Sequence, residues 1–273
     1  MSQEIRVAVS GAAGRMGLEV VRAVHEAEGL MLVAAIDPAG HGSDIGELAG
    51  IGSLGIAVAA SVDEAQLAGR AEVLVEFSPA RSAVGNIKAA LRQGCHAVVG
   101  STGIDPSERD RLGAVAEEAG LGLLVAPNFA IGAVLMMRFA EEAARYMPDV
   151  EVIELHHEKK LDSPSGTAME TAARIARVRS GQLPMPEGQI EKSPGARGAS
   201  PDGVPVHSIR LPGLVAHQEV LFGALGQTLS IRHDSIDRRS FMPGVVLAIR
   251  RIGTVQGLRV GLEHVMTASG AQG

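Results

Sequence analysis

Along its first half the chain alternates short, predominantly apolar runs with longer stretches whose apolar residues recur every three or four positions. The runs are Ile5-Arg6-Val7-Ala8-Val9, Leu30-Met31-Leu32-Val33-Ala34-Ala35-Ile36, Val73-Leu74-Val75-Glu76-Phe77, Ala97-Val98-Val99-Gly100 and Leu123-Leu124-Val125-Ala126. Lacking regular polar alternation, they predict strands buried on both faces. Leu18, Val20, Val21 and Val24 lie at near-helical spacing, and segments 81–93 and 106–119 are amphipathic in the same way. Buried strands alternating with helices imply a parallel sheet covered on both sides, a doubly wound α/β fold.

After Asn128-Phe129 the rhythm changes. A helical stretch through Met136, Phe139, Ala143 and Met147 leads into Val150-Glu151-Val152-Ile153-Glu154-Leu155-His156-His157, a strand that runs out into polar residues. Val206-His207-Ser208-Ile209-Arg210 and segments 215–221 and 227–233 read as further strands. The loop 184–203, rich in Pro, Gly and Ser, reads as a mobile surface segment with no assignable role.

Length fits this two-part pattern, since 273 residues are long for one compact unit and comfortable for two. A hydrophobic share of 46% against 21% charged residues excludes wholesale disorder. No stretch approaches the roughly 20 apolar residues of a spanning helix, and Met1-Ser2-Gln3-Glu4 lacks a basic region followed by an apolar one, so a cytoplasmic protein without membrane attachment is expected. The single cysteine, Cys95, reads as a small core residue. Net charge is −6 with no basic stripe, which argues against nucleic acid and requires any anionic ligand to be held by a local cluster.

The first candidate site is the turn Gly11-Ala12-Ala13-Gly14-Arg15-Met16-Gly17. A phosphate approaching the positive end of a helix must come close to the backbone, and a side chain there would block it. The spacing is G-x-x-G-x-x-G rather than the commoner G-x-G-x-x-G, so position after the first strand and before a helix is what favours nucleotide binding over a merely tight turn. Asp37 ends the second strand, where a carboxylate accepts hydrogen bonds from adenosine ribose hydroxyls; the alternative is a solvated loop residue. Pro38 and Ala39 follow it with no adjacent arginine for a 2′-phosphate, which favours NADH over NADPH, while Arg15 and Arg81 are cations in reach of such a phosphate.

The second is the densest set of reactive side chains in the chain, His156-His157-Glu158-Lys159-Lys160-Leu161-Asp162-Ser163-Pro164-Ser165-Gly166-Thr167-Ala168. Ser165, Gly166 and Thr167 precede a helical stretch, and a helix start of this kind suits a carboxylate. Lys160 adds a cation, and His156 and His157 titrate near neutrality, as a proton-transfer group should. Thr167 and Glu170 also fit a capping box, so the same residues have a purely structural reading as a helix start. Adjacent strand histidines point to opposite faces, which disfavours a metal site; His25, His96 and His207 read as packed or surface residues. On these residues alone, another two-domain dehydrogenase or a non-catalytic dinucleotide sensor stays open.

The glycine turn, Gly100-Ser101-Thr102-Gly103, Ala126-Pro127-Asn128-Phe129, the segment from His156 to Ala168, and Arg232-His233-Asp234-Ser235 on through Arg238 to Gly244 resemble the 4-hydroxy-tetrahydrodipicolinate reductases, formerly dihydrodipicolinate reductases. The resemblance spans nearly the whole chain. It implies a discontinuous Rossmann dinucleotide-binding domain, residues 1–127 and 238–273, and an inserted α+β domain, residues 128–237, that binds substrate and builds a homotetramer through its sheet. The activity implied is reduction of a cyclic dicarboxylic imine precursor by NADH or NADPH on the route to diaminopimelate and lysine. His156 and Lys160 match the family's proton-transfer groups; His157, Lys160, Ser165, Gly166 and Thr167 match substrate contacts, and Arg238 an arginine near the closed site. Gly11, Ala12, Ala13, Gly14, Arg15, Met16, Asp37, Phe77, Gly100, Ser101, Thr102, Ala126, Pro127, Asn128 and Phe129 match dinucleotide contacts. Asp37-Pro38 departs from the acid-then-arginine pair of some members. The resemblance further implies hydride delivery to C4 of the ring, a proton from His156 or Lys160, and hinges near 128–132 and Arg238.

Overall fold

The structure, a computed structural model, describes residues 4–179 and 190–266. In chain order it runs β1 (Ile5–Ser10), α1 (Arg15–Glu26), β2 (Leu30–Ile36), α2 (Ile45–Ala49), β3 (Val58–Ala59), α3 (Val62–Ala65), β4 (Val73–Glu76) and α4 (Ala80–Arg92). It continues through β5 (His96–Val99), α5 (Pro106–Glu118), β6 (Gly122–Val125), α6 (Ile131–Ala143), β7 (Asp149–His156) and α7 (Gly166–Val178). The remainder is β8 (Val206–Arg210), β9 (Ala216–Ala224), β10 (Gln227–Ser235), α8 (Met242–Arg251), β11 (Gly257–Val260) and α9 (Glu263–Met266). The chain divides into two compact units, Met1–Ile131 with Phe241–Gly273, and Gly132–Ser240. The first division falls beyond residue 127 because Phe129 and Ala130 are buried, the Phe129 ring lying against Phe77.

In the first unit the described strands form one sheet in the order β11-β6-β5-β4-β1-β2-β3, all neighbouring pairs parallel. The apolar runs lack alternation because both faces are covered: Val7, Ala8 and Val9 on β1 and Val73, Leu74 and Val75 on β4 are all buried. Ile87 and Leu91 of α4 pack with Ala97, Val99 and Leu123, while Ile36, Leu67, Leu74 and Cys95 form a second cluster. Cys95 is the core residue expected; its thiol donates to the Ala71 carbonyl at 3.3 Å, and burial pushes its pKa up to about 11. His96 is packed too, its Nδ1 accepting the Gly122 amide at 2.8 Å. The strand order reverses at β1, where the chain leaves toward β2 and β3 and returns to β4 on the other side. In an open parallel sheet that switch opens a crevice at the carboxyl ends of the strands.

In the second unit the sheet order is β10-β9-β7-β8, with β7 parallel to β8 and antiparallel to β9. Period-two alternation on β7 turns Val150, Val152 and Glu154 to the buried face. Helix α7 packs on β7 through a stripe of Ala168, Ala172 and Ile175. Helix α6 ends at Ala143 rather than extending to Met147. Residues 144–146 form turns that carry the chain to Pro148, and a residue before proline is disfavoured in helical backbone. Of the loop 184–203, residues 184–189 lie outside the described residues; 190–197 are exposed, with Glu191 accepting the amides of Gly195 and Arg197 at 3.2 and 3.0 Å. No helix among the described residues is long and apolar enough to cross a membrane.

Candidate active site

In the first unit the residues expected to touch a dinucleotide gather at the carboxyl ends of the strands. The 11–16 turn follows β1, Asp37 follows β2, Phe77 follows β4, Gly100, Ser101 and Thr102 follow β5, and Ala126, Pro127, Asn128 and Phe129 follow β6. A cavity of about 460 Å³ at the switch is lined by Gly11, Gly14, Asp37, Phe77 and Arg81 among others. The residues after β5 and β6 do not line that cavity. Asp37 is not a merely solvated loop residue: its Oδ2 accepts the Ala13 amide at 3.1 Å and its Oδ1 the Ala39 amide at 2.9 Å, which ties the glycine turn to the end of β2. Ser101 is committed to the fold, its hydroxyl donating to the Ser78 carbonyl at 2.6 Å.

The three glycines of the turn differ in what requires them. Gly11 has φ +72°, and a Cβ there would stand 2.7 Å from the Phe77 carbonyl carbon and the Ser78 nitrogen. At Gly17 a Cβ would stand 2.0 Å from the Gly11 carbonyl oxygen, so glycine is what lets α1 lie this close to the turn that follows β1. Gly14 is the N-cap of α1 with φ −74° and ψ 162°, backbone any residue adopts, and a Cβ would meet only the Gly11 oxygen, at 3.1 Å. Packing constrains residue 14 far less than 11 or 17, asking the Gly11 carbonyl to give way by a few tenths of an ångström, and a phosphate approaching the first turn of α1 is what a side chain there would block.

In the second unit the segment between β7 and α7 carries the reactive groups. His156 ends β7 on the same strand face as Glu154, and its Nδ1 bonds the Glu154 carboxylate. Glu154, wholly buried, also receives both terminal nitrogens of Arg210, at 2.9 and 2.7 Å, and the Ser165 amide at 3.3 Å. Burial by itself would raise the Glu154 pKa; the hydrogen bonds from His156, Arg210 and Ser208 outweigh it and bring the value down to about 2. Lys160 is largely covered, with its ammonium on the Asp162 carboxylate at 2.7 and 2.9 Å, a contact that holds Asp162 below the ordinary carboxylate range. The His157 side chain is exposed, and its carbonyl accepts the Lys160 amide at 3.1 Å.

The helix start is not the Thr167–Glu170 capping box of the purely structural alternative. Ser165 is the N-cap, its Oγ accepting the Ala168 amide at 3.2 Å, and Thr167 lies inside α7. Glu170 is occupied instead by Arg174, at 2.7 Å. Beside this cap the Ser165 amide donates to the Glu154 carboxylate. Gly166 and Thr167 open the first turn, where backbone N–H groups lack intrahelical acceptors. Arg238 is exposed on the turn Arg238–Phe241 and, among the described residues, has no hydrogen bond to the 156–167 segment. The sequence reading missed Glu154 and Arg210, although a charged residue on the inward parity of an apolar strand was a signal for Glu154.

Residues 5–129 match the family model described as dihydrodipicolinate reductase, N-terminus, and residues 132–266 match that for its C-terminus. The chain belongs to the dihydrodipicolinate reductase family. It is 46% identical over 265 residues to the 4-hydroxy-tetrahydrodipicolinate reductase of Desulfitobacterium hafniense (strain DSM 10664 / DCB-2), covering 97% of this chain and 99% of the relative. Identity to the enzyme of that name from Listeria welshimeri is 48% over 262 residues, 96% of this chain and 100% of the relative. Among solved structures, the dipicolinate-bound dihydrodipicolinate reductase from Paenisporosarcina sp. TG-14 superposes with a TM-score of 0.85 at 43% identity, covering 96% of this chain and 99% of the other. The Rossmann-type parallel sheet and the separate mixed sheet are thus those of a reductase family.

Proposed function

We propose that the protein reduces 4-hydroxy-tetrahydrodipicolinate to tetrahydrodipicolinate with a hydride from a reduced nicotinamide dinucleotide and a proton, the 4-hydroxyl leaving as water, a step toward diaminopimelate and lysine. The observation that carries the reading is the segment joining β7 to α7, which sets an imidazole, an ammonium and a helix start side by side in sequence on a fixed frame. These are the groups that a dicarboxylate undergoing protonation requires. Lys160 and the amides opening α7 at Gly166 and Thr167 hold the carboxylates, with the helix dipole favouring the anion. Because Nδ1 of His156 faces Glu154, Nε2 is the ring nitrogen left to pass a proton. Lys160 is the second proton-bearing group, engaged once a substrate carboxylate replaces Asp162.

In the first unit, the 11–16 turn and the strand ends at Phe77, Gly100 and Ala126 would hold the dinucleotide, which when bound supplies the hydride. Asp37 would take the adenosine ribose and favour NADH, with Arg81 of the same cavity giving NADPH residual acceptance. The reading includes a homotetramer built through the sheet of the Gly132–Ser240 unit, supported by Leu221 left exposed on β9, on the sheet face opposite buried Val220 and Phe222.

The test is NADH oxidation in a coupled assay that forms the substrate from pyruvate and aspartate semialdehyde, with pyridine-2,6-dicarboxylate as inhibitor. Turnover that the inhibitor suppresses is expected, and His156→Ala lowers kcat by about 10²–10⁴ with NADH affinity unchanged. NADH binding without turnover would instead indicate a dinucleotide sensor. Wild-type turnover in both His156→Ala and Lys160→Met would remove these residues from the chemistry.

A further inference from the structure

Glu154 and Arg210 are separated by 56 positions, yet form a two-bond ion pair in the interior of the second unit. The register of β7 and β8 brings them together, with Glu154 opposite Ser208 and His156 opposite Arg210. Three contacts leave this pair. The carboxylate bonds Nδ1 of His156; the same carboxylate accepts the Ser165 amide at 3.3 Å; and Arg210 donates through Nη2 to the Asp162 carbonyl at 2.8 Å. Each ends on a different part of the segment: the imidazole, the start of α7, and the turn that carries Lys160. A buried ion pair is a poor device for stability alone, because desolvating two charges costs about as much as their attraction returns. Its connections to three separated groups give it another use.

We propose that Glu154, held by Arg210, is the positioning residue of the substrate site: it fixes His156 as the Nδ1–H tautomer and keeps the start of α7 and the Lys160 turn in one arrangement with that ring. The proposal rests on the reading of His156 as a proton-transfer group. A carboxylate behind a proton-transferring imidazole acts through orientation and tautomer, and in serine hydrolases replacing it by an amide lowers turnover by about 10⁴. Arg210 keeps Glu154 anionic, and hence an acceptor toward Nδ1, where burial would otherwise favour a protonated acid.

The experiment compares Glu154→Gln, His156→Ala and the double variant of the full-length protein by steady-state kinetics and thermal unfolding. Glu154→Gln is expected to lower kcat by about 10²-fold or more, with KM for NADH within about twofold of wild type. In the His156→Ala background the same change is expected to cost at least about tenfold less than in wild type, because the part of its effect that runs through the ring is already lost and only the part carried by the α7 start and the Lys160 turn remains. Equal losses in both backgrounds, or wild-type turnover in Glu154→Gln, would overturn the proposal. If Glu154→Gln does not fold, ¹⁵N imidazole shifts of wild-type protein decide: an Nδ1–H ring, assigned by loss of its signals in His156→Ala, supports the proposal and an Nε2–H ring sinks it. Full activity in His156→Ala would refute the parent reading while leaving the tautomer measurement to judge the contact.

Discussion

Replacing Gly14 by alanine separates what the fold needs from what a ligand needs. The backbone there is extended, and the new Cβ would have one close neighbour, the Gly11 carbonyl oxygen at 3.1 Å. The stability cost is that of a poorer N-cap plus the small shift this contact demands, about 1–2 kcal/mol, or a fall of ~2–8 °C in Tm for a protein of this size. On the proposed reading, the same methyl group would stand where a pyrophosphate seated on the first turn of α1 comes close to the backbone. Pushing a phosphate off one charge-assisted amide bond costs about 1.5–3 kcal/mol, which weakens NADH roughly 10–100-fold. Gly17→Ala is the contrasting variant: its Cβ would sit 2.0 Å from a backbone oxygen, so α1 must move by more than an ångström. That costs about 3 kcal/mol or more, lowering Tm by ~6–12 °C. Differential scanning fluorimetry reads the stabilities and quenching-corrected NADH fluorescence titration the affinities. Wild-type NADH affinity in a stably folded Gly14→Ala protein would refute the placing of the phosphate on this turn.

Other consequences follow from the same geometry. Arg81→Ala is expected to lower kcat/KM for NADPH about tenfold while leaving that for NADH within about twofold, since one phosphate-pairing cation is worth roughly 1.5–3 kcal/mol; parallel losses with both cofactors would put Arg81 elsewhere. Asp162→Asn relieves Lys160 of its internal carboxylate, so KM for the dicarboxylate should fall; a rise would mean that Asp162 orients Lys160 rather than competing for it. Glu154 titrates near 2 in the fold against 4.5 for the free side chain. A depressed carboxylate contributes stability that is complete above pH 4.5 and is lost as pH falls through 2. Arg210→Met should therefore move the acid-unfolding midpoint, followed by circular dichroism, to higher pH, and an unmoved midpoint would show that Arg210 does not hold this charge.

Much of the first unit was legible in sequence for a simple reason. A strand covered on both faces is a short apolar run whatever its neighbours, so β1, β2, β4, β5 and β6 announce themselves. β3 did not, having only two residues, and β11 did not because Gly257-Leu258-Arg259-Val260, at the sheet edge with its last two residues exposed, is no apolar run. In the second unit the reactive side chains of 156–167 were visible as a cluster, but not their wiring: Thr167 with Glu170 satisfied a capping pattern in sequence, and only the folded start of α7 shows Ser165, its Oγ on the Ala168 amide, to be the cap.

The local features therefore belong to the chain itself: apolar runs, the glycine turn with its required Gly11 and Gly17, and the succession of histidine, lysine and helix start. Strand parity even put Glu154 and His156 on one face of β7. Their partner came from elsewhere. Arg210 meets Glu154 only because β8 lies parallel to β7 in one register, and a shift of a single residue would turn Arg210 to the other face of the sheet. Periodicity is a property of a segment, whereas register is set by how whole sheets and helices pack. A buried charge is settled by the second of these, which is why the pair that holds His156 emerged only in the folded protein.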